Sequence, residues 1–289
     1  MNGLTEQFLE LIHRASTDLP ADVEAALRAA QAREEPGSAA AGALETILEN
    51  VALARTNSTP ICQDTGVPIF YASHPQGMST RELWVQIETA VAEATRRAYL
   101  RPNAVDSLTG RNSGNNLGIG FPTFHSEEWE EEYLRIDLLL KGGGSENVGA
   151  QYKLPYAPLK AGRDLEGVRR VVLDAVYQAQ GKGCAPGVLG IAIGSDRGYG
   201  YMHAKEQLFR PLDDTNPMPE LAALEERLMH DCNELSIGPM GFGGKTTVLS
   251  VKIGVYHRLP ACYFVSIAYM CWACRRARMT VRDGEVEYS

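Results

Sequence analysis

The run Gly181-Lys182-Gly183-Cys184-Ala185-Pro186-Gly187-Val188-Leu189-Gly190-Ile191-Ala192-Ile193 is where the chain declares its fold class. Leu165 to Gln180 ahead of it is predicted as a helix. Val188 to Ile193 is a short apolar run of the kind that makes a buried strand. A glycine-rich turn joins the two and carries a single thiol.

The same alternation extends in both directions. Downstream, a helix is expected over Pro219 to Leu235, followed by strands over Thr246 to Val255 and Tyr263 to Ala268. Upstream, Leu134 to Leu140 reads as a strand ending in Lys141-Gly142-Gly143-Gly144-Ser145-Glu146-Asn147. Before it, Ser79-Thr80 caps a long helix in which Leu83, Ile87, Val91 and Ala94 share a face. The N-terminus is helical: Leu4, Phe8, Leu11 and Ile12 line one face. Val23, Ala26 and Leu27 mark a second helix after Pro20, and Leu44, Ile47, Leu48 and Val51 a third, stopped by Asn57-Ser58-Thr59-Pro60. Arg101 to Gly120, rich in Gly and Asn, is expected to be a long irregular connection, of the kind that is usually functional. The tail Met279 to Tyr288, with Asp283-Gly284 at its centre, suits a small hairpin or a docking arm. Together these define a mixed α/β (α+β) fold, with a helical N-terminal segment followed by a layered mixed sheet with helices. One domain over residues 1–289 is expected, with 1–58 as helical lead-in, 59–276 as core and 277–289 as tail.

With 289 residues the chain has ample volume for a core. Its 28 Lys and Arg against 36 Asp and Glu give a net charge of −8, which argues against a nucleic-acid partner. No apolar run reaches the roughly eighteen residues of a membrane span, and no signal-peptide pattern opens the sequence. A cytoplasmic protein is expected. Six cysteines over this length do not resemble a disulfide framework, so they are core fillers or ligands.

Three of the cysteines stand out by their surroundings. Cys62 lies in Pro60-Ile61-Cys62-Gln63-Asp64-Thr65-Gly66-Val67-Pro68, a proline-bracketed loop holding a thiol, an amide, a carboxylate and a hydroxyl in succession. Cys184 follows a helix, and Cys271, in Tyr269-Met270-Cys271-Trp272-Ala273-Cys274-Arg275-Arg276, follows a strand. Lys182, Arg275 and Arg276 nearby would favour the thiolate form. Their wide separation excludes a ribbon-type zinc site, whose ligands come in close pairs. It suits a three-thiolate 4Fe–4S cluster whose fourth iron is open to substrate. Spacing alone leaves three core cysteines as the competing account. A phosphate loop at Gly241-Phe242-Gly243-Gly244-Lys245-Thr246-Thr247 is ruled out, because Pro239 stands where the pattern needs glycine. Lys245 is instead an anion contact or a solvated turn residue.

Cys62-Gln63-Asp64-Thr65-Gly66, Lys141 to Asn147, Gly181-Lys182-Gly183-Cys184, Gly241 to Thr246 and Tyr269-Met270-Cys271-Trp272 together resemble the iron–sulfur hydro-lyases: class I fumarate hydratases and L(+)-tartrate dehydratases. The resemblance runs in order from about residue 40 to residue 276. It implies Cys62, Cys184 and Cys271 as ligands of a 4Fe–4S cluster with one open iron, leaving Cys232, Cys262 and Cys274 as packing residues. Further implied are Asp64 as a proton-transfer group and Gln63, Arg101 and Gly143 as substrate contacts. An Arg101 guanidinium could hold a carboxylate in bidentate fashion. The implied reaction is reversible hydration of a small dicarboxylate, fumarate and malate first, with L(+)-tartrate or mesaconate as alternatives. Arg258-Leu259-Pro260-Ala261 departs from the Arg-His-Pro-Ala common in fumarases. The family's single-chain members continue into a second catalytic domain, so the chain resembles an alpha subunit working with a beta subunit, in an expected α2β2 assembly. A reading of another class, a non-catalytic iron–sulfur sensor, would need the cysteines but not Gln63, Asp64 and Arg101.

Overall fold

The computed structural model describes residues 3–289. In chain order come α1 (Thr5–Thr17), α2 (Ala21–Arg33), α3 (Ala39–Asn57), β1 (Val67–His74), α4 (Thr80–Arg96), β2 (Thr123–Glu128), β3 (Leu134–Lys141), α5 (Gly143–Asn147) and β4 (Ala150–Lys153). Then follow α6 (Leu165–Ala179), β5 (Gly187–Ile193), α7 (Arg197–Glu206), α8 (Pro219–Glu234), β6 (Val248–Val255), β7 (Phe264–Met270), β8 (Arg276–Arg282) and β9 (Glu285–Tyr288). The mixed α/β class is as the sequence predicts. The backbone divides into two compact units, one formed by the chain up to Pro20, Glu49–Gly143 and Ala273–Ser289, the other by Ala21–Leu48 and Gly144–Trp272.

The first unit is built on a sheet of order β2-β1-β3-β8-β9. β1 runs parallel to β2 and antiparallel to β3. Its core gathers Phe8, Leu11 and Ile12 of α1, Leu83, Ile87 and Val91 of α4, and Phe70, Ile136, Leu138 and Met279 from the strands. These are the apolar faces read from helical spacing, and their burial supplies most of the unit's cohesion. Ser79 caps α4 as expected, its hydroxyl accepting from the Glu82 amide at 3.3 Å. The tail is the hairpin of the two readings: β8 pairs with β9 from Met279↔Tyr288 to Arg282↔Glu285 around Asp283 and Gly284, at φ 52° and 84°, while β8 itself begins earlier, at Arg276, alongside β3. Positive φ at both central residues matches the twist of a two-residue hairpin turn. β1 is a strand that the residue pattern hides, because Pro68 punctuates it. The β3 partner of Pro68, Leu140, turns its amide to the Arg275 carbonyl, and the β2 pairing begins only at Ile69, so the missing proline amide leaves no ladder bond unmade.

The second unit holds a sheet of order β4-β7-β5-β6. β5 alternates in two-residue period: Leu189, Ile191 and Ile193 enter the core with Val168, Val172 and Val176 of α6 and Leu224 and Leu228 of α8. Its other face meets α7, so closely that a Cβ at Gly190 would lie 2.1 Å from the Ala204 carbonyl oxygen. β5 and β6 pair in parallel, joined by the long crossover through α7 and α8. No helix among the described residues is long and apolar enough to cross a membrane.

Candidate active site

Each glycine-rich motif is held by a different local device. In the first unit, Ile61 is fixed on both sides before Cys62 begins: its amide donates to the Ser16 carbonyl at 2.9 Å and its carbonyl accepts from Asn50 Nδ2 at 2.8 Å. The Asp64 carboxylate then takes two backbone amides, Gly66 at 3.1 Å on Oδ1 and Gly143 at 2.7 Å on Oδ2. Its own carbonyl accepts from Nη1 of Arg275 at 2.8 Å, and Arg275 is 1% exposed. Gly66, at φ 81°, lies so near Lys141 that a Cβ there would come 2.7 Å from the Lys141 carbonyl carbon. Only glycine fits both the left-handed backbone and that approach.

Thr65 is buried and ties the loop to the segment that begins at Arg101. Its hydroxyl accepts from the Arg101 amide at 3.1 Å and from Asn103 Nδ2 at 3.0 Å. The Arg101 guanidinium reaches the Gln63 carbonyl at 3.4 Å, and both Arg101 and Gln63 are exposed. Cys62, Gln63, Asp64, Arg101 and Gly143 are thus gathered in one unit. The glycine run after β3 leads into the short helix α5, which begins at Gly143, and the Gly143 amide reaches the Asp64 carboxylate.

Cys184 and Cys271 lie in the second unit, both half-buried at element ends. Cys184 closes the helical turn Gln180–Gly183 in left-handed backbone, φ 55°, its amide donating to the Gly181 carbonyl at 3.1 Å. The Cys184 carbonyl accepts from the Trp272 amide at 3.2 Å, which ties the two cysteine segments together. Tyr269 lies beneath this turn, 2% exposed, its hydroxyl without a hydrogen-bond partner among the described residues. Burial, and after it the charges of Cys271, Cys232 and Cys184, pushes the phenol above its ordinary range. Of the cations expected beside the thiols, Arg275 serves Asp64, and Arg276 Nη1 reaches the Cys274 sulfur at 3.7 Å. Among the described residues no group of three or more His, Cys, Asp or Glu side chains stands in metal-holding arrangement.

The remaining cysteines divide. Cys232 and Cys274 are fully buried, whereas Cys262 is half-buried in the turn after Leu259. Leu259 itself is 71% exposed, and Arg258 Nη1 donates to the carbonyls of Leu259, Pro260 and Cys262 to close that turn. The phosphate-loop lookalike has a purpose of its own. Glu34, 5% exposed, offers both carboxylate oxygens to the Lys245 amide at 3.0 and 2.9 Å. The turn's anion-binding amide is filled by the protein's own carboxylate. The order of elements is also reversed, with helix α8 before the loop and strand β6 after it. Arg275, Glu34 and Tyr269 were not singled out for these roles by the sequence. Only the position of Tyr269 within the Tyr-Met-Cys-Trp motif hinted at one of them.

A thiol, a carboxylate and a guanidinium stand on neighbouring loops of an α/β scaffold, which places the chain among mixed α/β proteins with a polar loop cluster. Within that class, the chain belongs to the fumarate hydratase (Fumerase) family, whose model matches residues 5–280. It is 52% identical to a protein named as fumarate hydratase class I in Geobacillus stearothermophilus, over 99% of this chain. The chain spans 57% of that relative's length. It is 35% identical to a protein of Methanocaldococcus jannaschii named as L(+)-tartrate dehydratase subunit alpha, over 95% of this chain and 96% of the relative. The L(+)-tartrate dehydratase subunit alpha of Escherichia coli is 30% identical, over 97% and 91%.

Two features of the residues present are of the kind an iron–sulfur centre uses. The donors are half-buried thiols at irregular backbone, which ligate as thiolates. The orphaned Tyr269 hydroxyl, buried beneath the Cys184 turn, is a donor of the kind that sulfur accepts from in such sites.

Proposed function

We propose that the chain is the alpha subunit of a 4Fe–4S hydro-lyase that reversibly hydrates a small dicarboxylate in the cytoplasm, fumarate to malate first of all. The observation that carries this reading is the Asp64 carboxylate held by the Gly66 and Gly143 amides, two residues from Cys62 and next to Gln63, whose carbonyl Arg101 reaches. Cys62, Cys184 and Cys271 would hold the cluster, which when bound supplies a Lewis-acidic iron that makes hydroxide a better leaving group.

The chain's own residues do the rest. Asp64 is the proton-transfer group, and its fixed orientation spares it reorganisation during the reaction. Arg101 takes a substrate carboxylate through its guanidinium, and Gln63 contacts the substrate beside it. Gly143 contributes a backbone approach without a side chain in the way. Fumarate is preferred over tartrate because the relative at 52% identity carries the fumarate hydratase name, against 35% and 30% for those named for tartrate.

A beta subunit completes the enzyme. Two relatives matched over almost their whole length are named as alpha subunits, which supports a separate partner chain. The residues assigned here include one proton-transfer group, whereas elimination of water needs a group at carbon and another at the departing oxygen. An α2β2 assembly follows from the prevalence of two-fold closure.

The test is anaerobic reconstitution of the chain with iron and sulfide, then assay on fumarate, malate and L(+)-tartrate with and without its beta chain. Turnover of fumarate that appears only on mixing supports the reading. Full activity of the isolated chain would remove the beta subunit. Turnover of tartrate but not fumarate would reassign the substrate.

A further inference from the structure

Tyr269 is the residue in the second unit whose chemistry the mechanism above does not use. Its ring is gripped from both sides of the Cys184 turn. A Cβ at Gly183 would lie 2.5 Å from its Cε1, and one at Gly187 would lie 2.4 Å from its Cζ and 2.6 Å from its hydroxyl oxygen. The side chain therefore fills space that these two glycines leave open, and it cannot swing away. On the other side it is fixed by the sheet, where Tyr269 pairs with Leu189 and the next residue, Met270, with Val188.

A ring locked in this way needs only to be apolar, and phenylalanine would fill the space equally well. Tyrosine adds a hydroxyl that is 98% withdrawn from water with its residue, yet finds no acceptor among the described residues. A buried donor with no partner costs free energy, and an unsatisfied group in a folded protein calls for a ligand or a function. The ring lies against Gly183 and Gly187, which flank Cys184, Cys271 follows two residues on at the end of the same strand, and Cys232 shares its core cluster, so the groups around it include three thiols. Cys232 is a neutral, fully buried thiol and a weak acceptor. The thiolates and sulfides of a bound cluster would be much stronger acceptors.

Resting on the cluster reading above, we infer that Tyr269 is a positioning residue whose hydroxyl donates a hydrogen bond to sulfur of the iron–sulfur group held by Cys184 and Cys271. Such a bond withdraws charge from sulfur and raises the cluster's reduction potential, as other hydrogen bonds to cluster sulfurs do. It also keeps water from taking the donor's place.

The experiment compares the reconstituted chain with its Tyr269→Phe variant. Loss of the hydroxyl should move the cluster's reduction potential to a more negative value, while the melting temperature of the cluster-free chain stays the same or rises. A second measurement needs no variant: electron–nuclear double resonance on the reduced wild-type cluster should show a strongly coupled proton that disappears in deuterated water. That signal should be absent from Tyr269→Phe. An unchanged potential in the loaded variant, or no exchangeable coupled proton in the loaded wild type, overturns the inference and leaves the cluster reading intact. A wild-type chain that takes up no iron–sulfur centre overturns both.

Discussion

The Gly143 amide donates to the Asp64 carboxylate at 2.7 Å, joining two loops 79 positions apart in the sequence. The Gly66 amide takes the other oxygen and Arg275 takes the Asp64 carbonyl, so this residue is held by its side chain and its backbone together. A carboxylate fixed in this manner is preorganised, and its removal should be felt in rate more than in fold.

Asp64→Asn should therefore retain the cluster while lowering turnover about a hundredfold or more, the usual scale for a general acid or base. The amide side chain keeps one carbonyl oxygen for two donors, so a modest loss of stability, about 1 kcal/mol, is expected alongside. Steady-state assay of the reconstituted enzyme with its beta chain, and urea unfolding, read the two effects separately. Near-normal turnover would make Asp64 a loop-capping residue only.

Gly66→Ala tests the fit of the loop against Lys141. The new Cβ meets the Lys141 backbone, and alanine resists the left-handed conformation. Stability should fall by about 2 kcal/mol or more. An unchanged unfolding midpoint would show that the two loops do not press on each other.

Glu34→Ala should destabilise the second unit by about 1.5–3 kcal/mol, because the Lys245 amide loses a charged acceptor that is itself buried. Glu34→Gln, which keeps shape and one acceptor oxygen, should cost less. Equal losses in the two variants, measured by chemical denaturation, would mean that packing and not the carboxylate holds the turn.

The cysteines should separate by role. Cys62→Ser, Cys184→Ser and Cys271→Ser should each prevent iron and sulfide uptake, whereas Cys232→Ser, Cys262→Ser and Cys274→Ser should not. A cluster that survives Cys271→Ser but not Cys274→Ser would exchange the assignment of that pair.

Cys232 adds a pH signature. Burial, and to a lesser degree Asp231, pushes its thiol from an ordinary 9.0 up to about 12. The fold favours the neutral thiol, so the stability it contributes is complete below about pH 9 and is lost as pH rises towards about 12. Iodoacetamide at pH 8 should leave Cys232 unlabelled until the chain is unfolded. Rapid labelling in the native state would show that the helix α8 site is open.

Much of the scaffold was legible in the sequence because it depends on local spacing. The apolar stripes of α1, α4, α6 and α8, the buried runs of β5 and β7 and the Asp283-Gly284 turn each follow from a pattern a few residues long. The order of the cysteine and glycine motifs likewise identified the family. Helix α7 escaped, since Arg197 to Glu206 contains two glycines and no apolar stripe, and its start is set by Asp196 accepting from the Gly198 and Tyr199 amides. β1 escaped behind Pro68. What only the tertiary structure decided is which distant groups meet: Arg275 at Asp64, 211 positions away, Glu34 at Lys245, also 211 away, and the Tyr269 ring against Gly183 and Gly187. No periodicity encodes such pairs, because their energy comes from desolvation and close approach, and these exist only once the sheets have formed.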